Sequence, residues 1–475
     1  MISPGDEALA SAAPRLISPT LDVRAAAPLL APARLILFGT STCASCDDSA
    51  MYQVTCDNLC NTYLSGSFGY WLNMYAGDRA ERFSSSNCYQ TNNFGLSGDT
   101  VTNMATAARL RPLLAKIVPG RTIVVHQGGE DDISQGADYA PMEAALRWVW
   151  NRLLNAGAIV LFPTIFPRDG IHAFDRSQTQ IATGINDFAR RFASENGSRG
   201  FHVVDLDDIM VDPSQPGWAV REGYLQDGVH LSVIGGSACA SAIAQVINRL
   251  VAPRPRPFLS APDIYHPSLN RHGNLLANGV MEGDGGLLIG GALGTVPTGW
   301  TLDASCAGGA SVVGATERLA NGTTTAIIRI SGLCQGGGEV SFSQILARSS
   351  DICAGDVLRA RMRASIGANE NITGLPIRLA TFEDGRWCYH IGGSPFGIWT
   401  LPAAGFAFGD FASIDAPDRV VAATPDEVQV SLIVMMPDLG RPFPVSATVQ
   451  IADAEVRKVI EESSPVRQEL PIPGV

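Results

Sequence analysis

Lysine is almost missing from this chain: Lys116 and Lys458 stand against 32 arginines, a bias expected of a GC-rich bacterial genome rather than of a function. Charged residues reach only 17% and aromatics 7%. The net charge of −12 leaves no basic excess, which argues against nucleic acid as a partner and against an anionic membrane surface. No run of about 18 apolar residues occurs, so no membrane-spanning helix and no membrane insertion are expected. The first residues lack a basic segment followed by an apolar one, so no secretory signal is evident. Residues 1–32, rich in Ala and Pro, are expected to form an extended N-terminal arm, disordered or attached to a larger assembly. No repeat of fixed period is present.

What the chain does have is apolar residues at 46%, 49 glycines and ten cysteines over 475 positions. That length suggests at least two domains with real cores. The cysteines lie at 43, 46, 56, 60, 88, 239, 306, 334, 353 and 388. Cys43 and Cys46 with Cys56 and Cys60 lack the second CxxC or His pair of a zinc site. Loop disulfides are expected instead, with the four C-terminal cysteines able to pair among themselves and Cys239 a buried helix thiol. Such usage fits an extracellular working environment.

Over 33–252, short apolar runs at 34–38, 121–127, 158–164 and 201–206 alternate with helical patterns at 101–117, 141–156, 178–195 and 235–251. Strict alternation implies βαβ units, hence an α/β domain with a parallel sheet flanked by helices. Residues 253–265 open with a Pro-rich run expected to act as a spacer. From His266 onward lie 28 of the 49 glycines and short alternating runs such as 325–333, 357–366 and 428–436. These predict an antiparallel β-sandwich over 266–475.

In open α/β sheets ligands gather where strands end. Gly39-Thr40-Ser41 follows the first strand, Asn93 to Thr100 precedes the first helical pattern, and Gly128-Gly129-Glu130-Asp131-Asp132-Ile133 follows the strand at 121. Asp227 and His230 share one short loop. A hydroxyl nucleophile needs a base, and the base needs an acceptor that fixes its tautomer. Ser41, His230 and Asp227 can fill those roles, with backbone N–H groups of Ser41 and Gly98 facing an oxyanion. His126, which ends a strand beside these blocks, is a candidate substrate contact or a core histidine. Arg168 and Asp169 lie at the same edge.

These four blocks in this order resemble the SGNH (GDSL-type) hydrolase family over 33–252. The resemblance implies Ser41 as nucleophile, Gly98 as oxyanion donor, and Asp227 and His230 as the remaining catalytic pair, with no metal or organic cofactor. Two departures stand out. The family's Asp before the serine is Thr40 here, which keeps a hydrogen-bonding oxygen. The family's Gly-x-Asn-Asp block, whose Asn donates to the oxyanion, reads GGEDDI, so Glu130 or Asp131 takes the Asn position. An ionised carboxylate cannot donate, and loss of one donor costs roughly 10²–10³ in rate. The site is then a buried protonated acid that donates, a slow enzyme with two donors, or a binding site retired from catalysis. Retention of all three triad residues argues for activity.

Asn274-Leu275-Leu276, Asn278-Gly279, Glu282 and Pro297-Thr298-Gly299-Trp300 resemble the opening of jelly-roll carbohydrate-binding modules. In that fold these residues are mostly structural, and sugar contacts rest on exposed aromatics. Trp387, Tyr389 and Trp399 are candidates by type, each equally readable as core. The combined expectation is a serine esterase removing acyl groups, most plausibly acetyl, from an extracellular or cell-surface polysaccharide, held there by the β-domain. The competing expectation is a catalytically weak polysaccharide-binding adhesin or phage-like virion spike, contacting other virion or surface proteins through the N-terminal arm. Either would work outside the cell, through non-classical export or release of a particle by lysis.

Overall fold

The computed structural model describes residues 33–44, 60–64, 67–76, 79–80, 92–252, 263–320, 322–346, 349–394, 401, 412–416 and 418–459. The N-terminal arm, most of the Pro-rich spacer and Trp399 lie outside the described residues.

The first half is built from β1 (Arg34–Gly39), α1 (Ser41–Ala44), β2 (Cys60–Leu64), α2 (Phe68–Ala76), β3 (Asn93–Gly95), α3 (Val101–Met104) and α4 (Ala107–Leu114). It continues with β4 (Thr122–His126), α5 (Glu130–Ser134), α6 (Tyr139–Asn155), β5 (Ile159–Pro163), α7 (Arg176–Asn196), β6 (Phe201–Val204), α8 (Asp207–Met210) and α9 (Val233–Leu250). Five strands form a parallel sheet in the order β3-β1-β4-β5-β6. This is the α/β arrangement with a parallel sheet that alternation predicts. Strands β1 and β4 are apolar almost throughout because helices cover both faces. On one face Trp150 of α6 packs against Phe162, Phe188, Phe192 and Phe201.

The helical pattern at 101–117 is two helices, not one. Thr100 caps α3 through its hydroxyl, which accepts from Asn103 N, and a new helix starts after Thr106. Helix α6 stops where expected, with Gly157 left-handed just beyond it.

The second half is strand-rich. Strands β7 (Gly285–Ile289), β8 (Leu293–Gly294), β9 (Val296–Asp303), β10 (Ser311–Arg318), β11 (Thr324–Gln335), β12 (Gly338–Ile345) and β13 (Val357–Ile366) come first. Then follow β14 (Ile377–Glu383), β15 (Arg386–Ser394), β16 (Ala412–Asp415), β17 (Arg419–Val420), β18 (Glu427–Met436) and β19 (Pro442–Lys458). They form two mixed, mainly antiparallel sheets, one ordered β16-β13-β19-β11-β10-β8 with β17 on β13, the other β2-β15-β14-β18-β12-β9-β7. Strict in-out alternation in β13 and shared core residues from both sheets, such as Val449 and Leu432, are consistent with the expected sandwich. Trp300 stacks on Phe342 in that core and donates its indole N–H to the Asn278 carbonyl. The Asn278 side chain closes on Glu282 and Thr298, and Asn274 ties Leu276 to β19. That opening motif is therefore structural.

Two expectations need correction. The edge strand β2 comes from the first half, pairing parallel with β15 in register Tyr389 to Cys60, so the strand-rich half is not built from 266–475 alone. The neighbouring α2 packs between α9 and β16, with Tyr70 and Trp71 buried, and one apolar core runs through both halves. Nor do the four C-terminal cysteines pair: all are free thiols, as is the buried Cys239. Cys334 on β11 and Cys388 on β15 are buried in different sheets, whereas Cys306 and Cys353 lie exposed on loops.

Candidate active site

The site assembles at the C-terminal edge of the parallel sheet. Thr40 follows β1 and its carbonyl accepts from Cys43 and Ala44, so the chain turns into α1 with Ser41 at its start. The N–H groups of a first helical turn have no acceptor within their own helix. Helix α1 can sit so low over β3 only because residue 95 is glycine: a Cβ there would lie 2.2 Å from Ala44 N. Asn93 closes the contact, its amide donating to the Cys43 carbonyl at 3.0 Å while its Oδ1 accepts from Gly95 N. Asp99 is buried and paired with Arg109 at 2.8 Å. These bonds tie the Asn93–Gly95 turn to α1 and Asp99 to Arg109.

The triad is formed. Ser41 Oγ lies 3.0 Å from His230 Nε2, and His230 Nδ1 lies 2.7 Å from Asp227 Oδ2. The other Asp227 oxygen accepts from the backbone N–H of Val229 and His230, closing an Asx-type turn. Burial works against the Asp227 charge, but the His230 side chain and these two N–H groups outweigh it and hold the carboxyl below its usual range. An ionised Asp227 fixes the Nδ1–H tautomer and leaves Nε2 free to accept the serine proton. His230 and Asp227 keep 37% and 50% of their side-chain surface exposed. Ser232 then caps α9, accepting from Gly235 N. The loop after β5 braces the triad loop, with Asp169 N donating to the Gly228 carbonyl.

The third block separates the candidates left open by sequence. Gly129 takes φ +114°, a conformation side chains resist, and turns β4 into α5. Asp131 Oδ1 forms an ion pair with Arg168 at 2.9 Å, which counts against this residue as an oxyanion donor. Asp132 accepts from Val101 N at 2.9 Å and anchors α3; burial pushes its carboxyl up to about 6. Glu130 has neither duty. It is 4% exposed, and both carboxyl oxygens are buried without a partner at hydrogen-bonding distance. Burial first, and the Asp131 charge to a small degree, push it up to about 7 against the backbone N–H of Glu130, the Gln127 amide and Arg168. At neutral pH a large share of Glu130 is therefore a carboxylic acid, which can donate.

His126 is not a substrate contact. It is fully buried, stacked on Phe38, and accepts the Trp150 indole N–H at Nδ1 over 2.9 Å; burial holds it down to about 3. Gly98 is exposed with φ +74° on the turn into α3. In the strand-rich half, Trp387 and Tyr389 are half-buried on one face of β15, their rings stacked at 6.1 Å and 12°, with Arg378 5.6 Å over Tyr389. Sequence reading passed over Gln127, which contacts the residue before the nucleophile; no motif marks it. Among the described residues no cluster of His, Cys, Asp and Glu could hold a metal ion.

Fold and geometry together define a Ser-His-Asp hydrolase-type site on an α/β sheet. Residues 48–236 match the model of the GDSL-like Lipase/Acylhydrolase family, a span that starts after Ser41 and includes the Asn93, Glu130 and Asp227–His230 blocks. Among solved structures, the chain is similar to a member of the lipolytic protein G-D-S-L family from Veillonella parvula, at 16% identity and TM-score 0.33, over 46% of this chain and 99% of that one. It is also similar to a GDSL-like lipase from Bacteroides thetaiotaomicron, at 13% identity and TM-score 0.30, over 46% and 89%. A third is the Clostridium thermocellum family 3 carbohydrate esterase, at 16% identity and TM-score 0.33, over 46% and 98%. No curated protein matches the chain.

Proposed function

We propose that the protein is a serine esterase acting on acetyl esters of an extracellular or cell-surface polysaccharide. The observation that carries the reading is the closed Ser41–His230–Asp227 relay, at 3.0 and 2.7 Å. Ser41 Oγ attacks the ester carbonyl carbon while His230 Nε2 takes its proton. The tetrahedral intermediate collapses, the C–O bond to the sugar breaks, and His230 returns the proton to the departing alcohol. Water then enters by the same route and frees Ser41 and the carboxylate product. The N–H groups of Ser41 and Gly98 hold the oxyanion, and neutral Glu130 supplies the third hydrogen bond in place of an amide. No step needs a metal or organic cofactor. The test is hydrolysis of a small chromogenic acetate ester by wild type and Ser41→Ala, across about pH 5 to 9.

The glycan half of the proposal is supported by the stacked Trp387–Tyr389 pair on one sheet face, since coplanar rings suit the apolar faces of pyranose units. Within this reading the strand-rich half is a jelly-roll sandwich that keeps the esterase near its polymer. Trp387→Ala and Tyr389→Ala are expected to weaken retention on an immobilised acetylated polysaccharide at least tenfold, with hydrolysis of the small ester unchanged. Equal retention of wild type and both variants would remove these residues from the site. A polysaccharide-binding adhesin or phage-like spike is the second reading. It is favoured by the third-block substitution, an argument that a neutral Glu130 weakens.

A further inference from the structure

The outer face of one sandwich sheet carries a row of side chains that ends in a cation. On β15 the buried Cys388 and His390 point into the sandwich, so Trp387, Tyr389 and Ile391 stand on the opposite face. Arg378 on β14 lies directly across from Ile391, and across from Ser431 of β18 on its other side. Along this face the register therefore sets Trp387, Tyr389 and Arg378 in one track. The two rings stack at 6.1 Å, and the guanidinium carbon of Arg378 lies 5.6 Å from the Tyr389 ring centroid. Stacking on a ring holds the plane of the guanidinium while leaving the N–H groups along its edge able to donate.

No carboxylate stands around this arginine. Its cross-strand neighbours Ile391 and Ser431 carry none, nor do the diagonal ones, Tyr389, Gly393, Gln429 and Ile433. The arginines of β13 differ, because Arg359, Arg361 and Arg363 face Asp418, Asp415 and Asp453. Arg378 Nε is buried without a hydrogen-bond partner, and so is Oγ of the fully buried Ser431 opposite it. Both groups can donate to an oxygen anion.

We propose that this track binds an acidic polysaccharide, with sugar rings over Trp387 and Tyr389 and an anionic substituent, carboxylate or sulfate, on the Arg378 fork. The proposal deepens, and rests on, the glycan reading of the ring pair: the polymer it holds is a polyanion. With a net charge of −12 the chain has no general attraction for such a polymer, so selectivity for it falls to a local cation.

The test is affinity electrophoresis of the full chain through gels holding polygalacturonate, alginate or hyaluronan, each beside its carboxyl-reduced form, and dextran sulfate beside dextran. Wild type is expected to bind at least one acidic polymer about tenfold more tightly than its neutral counterpart, and the carboxylate and sulfate pairs show which anion is taken. Arg378→Met should abolish that difference and keep the weaker neutral component. Arg378→Lys should keep part of it, since the charge survives without the planar fork. Raising salt from about 0.05 to about 0.5 M should weaken the acidic component alone. Thermal unfolding of each variant confirms that it is folded. Equal binding of acidic and neutral forms, lost in Tyr389→Ala, would overturn the acidic preference and leave the ring platform standing. Binding to none of the polymers would overturn both. An acidic preference that survives in folded Arg378→Met would remove Arg378 from the site.

Discussion

Ser41→Ala is expected to lower kcat on a small acetate ester by on the order of 10⁴–10⁶, since removal of a triad nucleophile leaves only the contribution of oxyanion donors and binding. The basis is that, among the described residues, Ser41 is the one hydroxyl at 3.0 Å from an imidazole whose other nitrogen is held by a carboxylate. Thermal unfolding should hardly change, because Ser41 is half-buried and the turn it occupies is held by the Thr40 carbonyl bonds to Cys43 and Ala44. Asp227→Asn should give a smaller loss, since half of that side chain is in water. A Ser41→Ala enzyme as active as wild type would remove the serine mechanism, whatever the fold.

The second large effect concerns Glu130. Glu130→Ala is expected to lower kcat by roughly 10²–10³, the cost of one oxyanion donor. Glu130→Gln should retain most of the rate and, unlike wild type, should not lose activity as pH rises past about 7. The sign follows from burial: the folded carboxyl is pushed up to about 7 from an ordinary value of 4.5, so the donor is present below pH 7 and lost above it. The alkaline loss of activity is therefore set by Glu130. Stability carries the same sign. The folded state holds a proton that the unfolded state releases between pH 4.5 and 7, so wild type loses stability on Glu130→Gln across that window, by up to about 3 kcal/mol, and gains nothing below it. Asp132→Asn is the control, because Asp132 is pushed up to about 6 and serves α3 rather than the oxyanion. If alkaline loss follows Asp132 and survives in Glu130→Gln, the donor role is wrong.

How much of this was legible in the sequence depended on range. Strands β1, β4, β5 and β6 announced themselves as apolar runs, because a strand covered on both faces needs nothing else. The triad was legible because two short blocks carried it, and Asp227 with His230 lie only three positions apart in one loop. What failed was pairing between distant segments. Nothing in Cys60–Leu64 says that its partner is β15, more than 300 positions away, since a strand's own alternation is silent about its neighbour. His126 was ambiguous for a similar reason. A histidine at a strand end reads as a site residue until Trp150, on another element, is seen to fill its acceptor. The choice between Glu130 and Asp131 likewise turned on Arg168, which the sequence places far downstream. For the four C-terminal cysteines the count misled because it reports residue type and not direction, while Cys46, Cys56 and Cys88 lie outside the described residues. Cys334 and Cys388 are buried in separate sheets.

The most direct test of the esterase reading is covalent trapping. A small fluorophosphonate reacts only with a serine whose proton can be taken by a neighbouring base. Mass spectrometry of the full chain after exposure is expected to show one phosphonyl adduct, mapped to Ser41 and missing from His230→Ala. Folded wild-type protein that stays unlabelled, or that carries its adduct on another residue, would contradict the account.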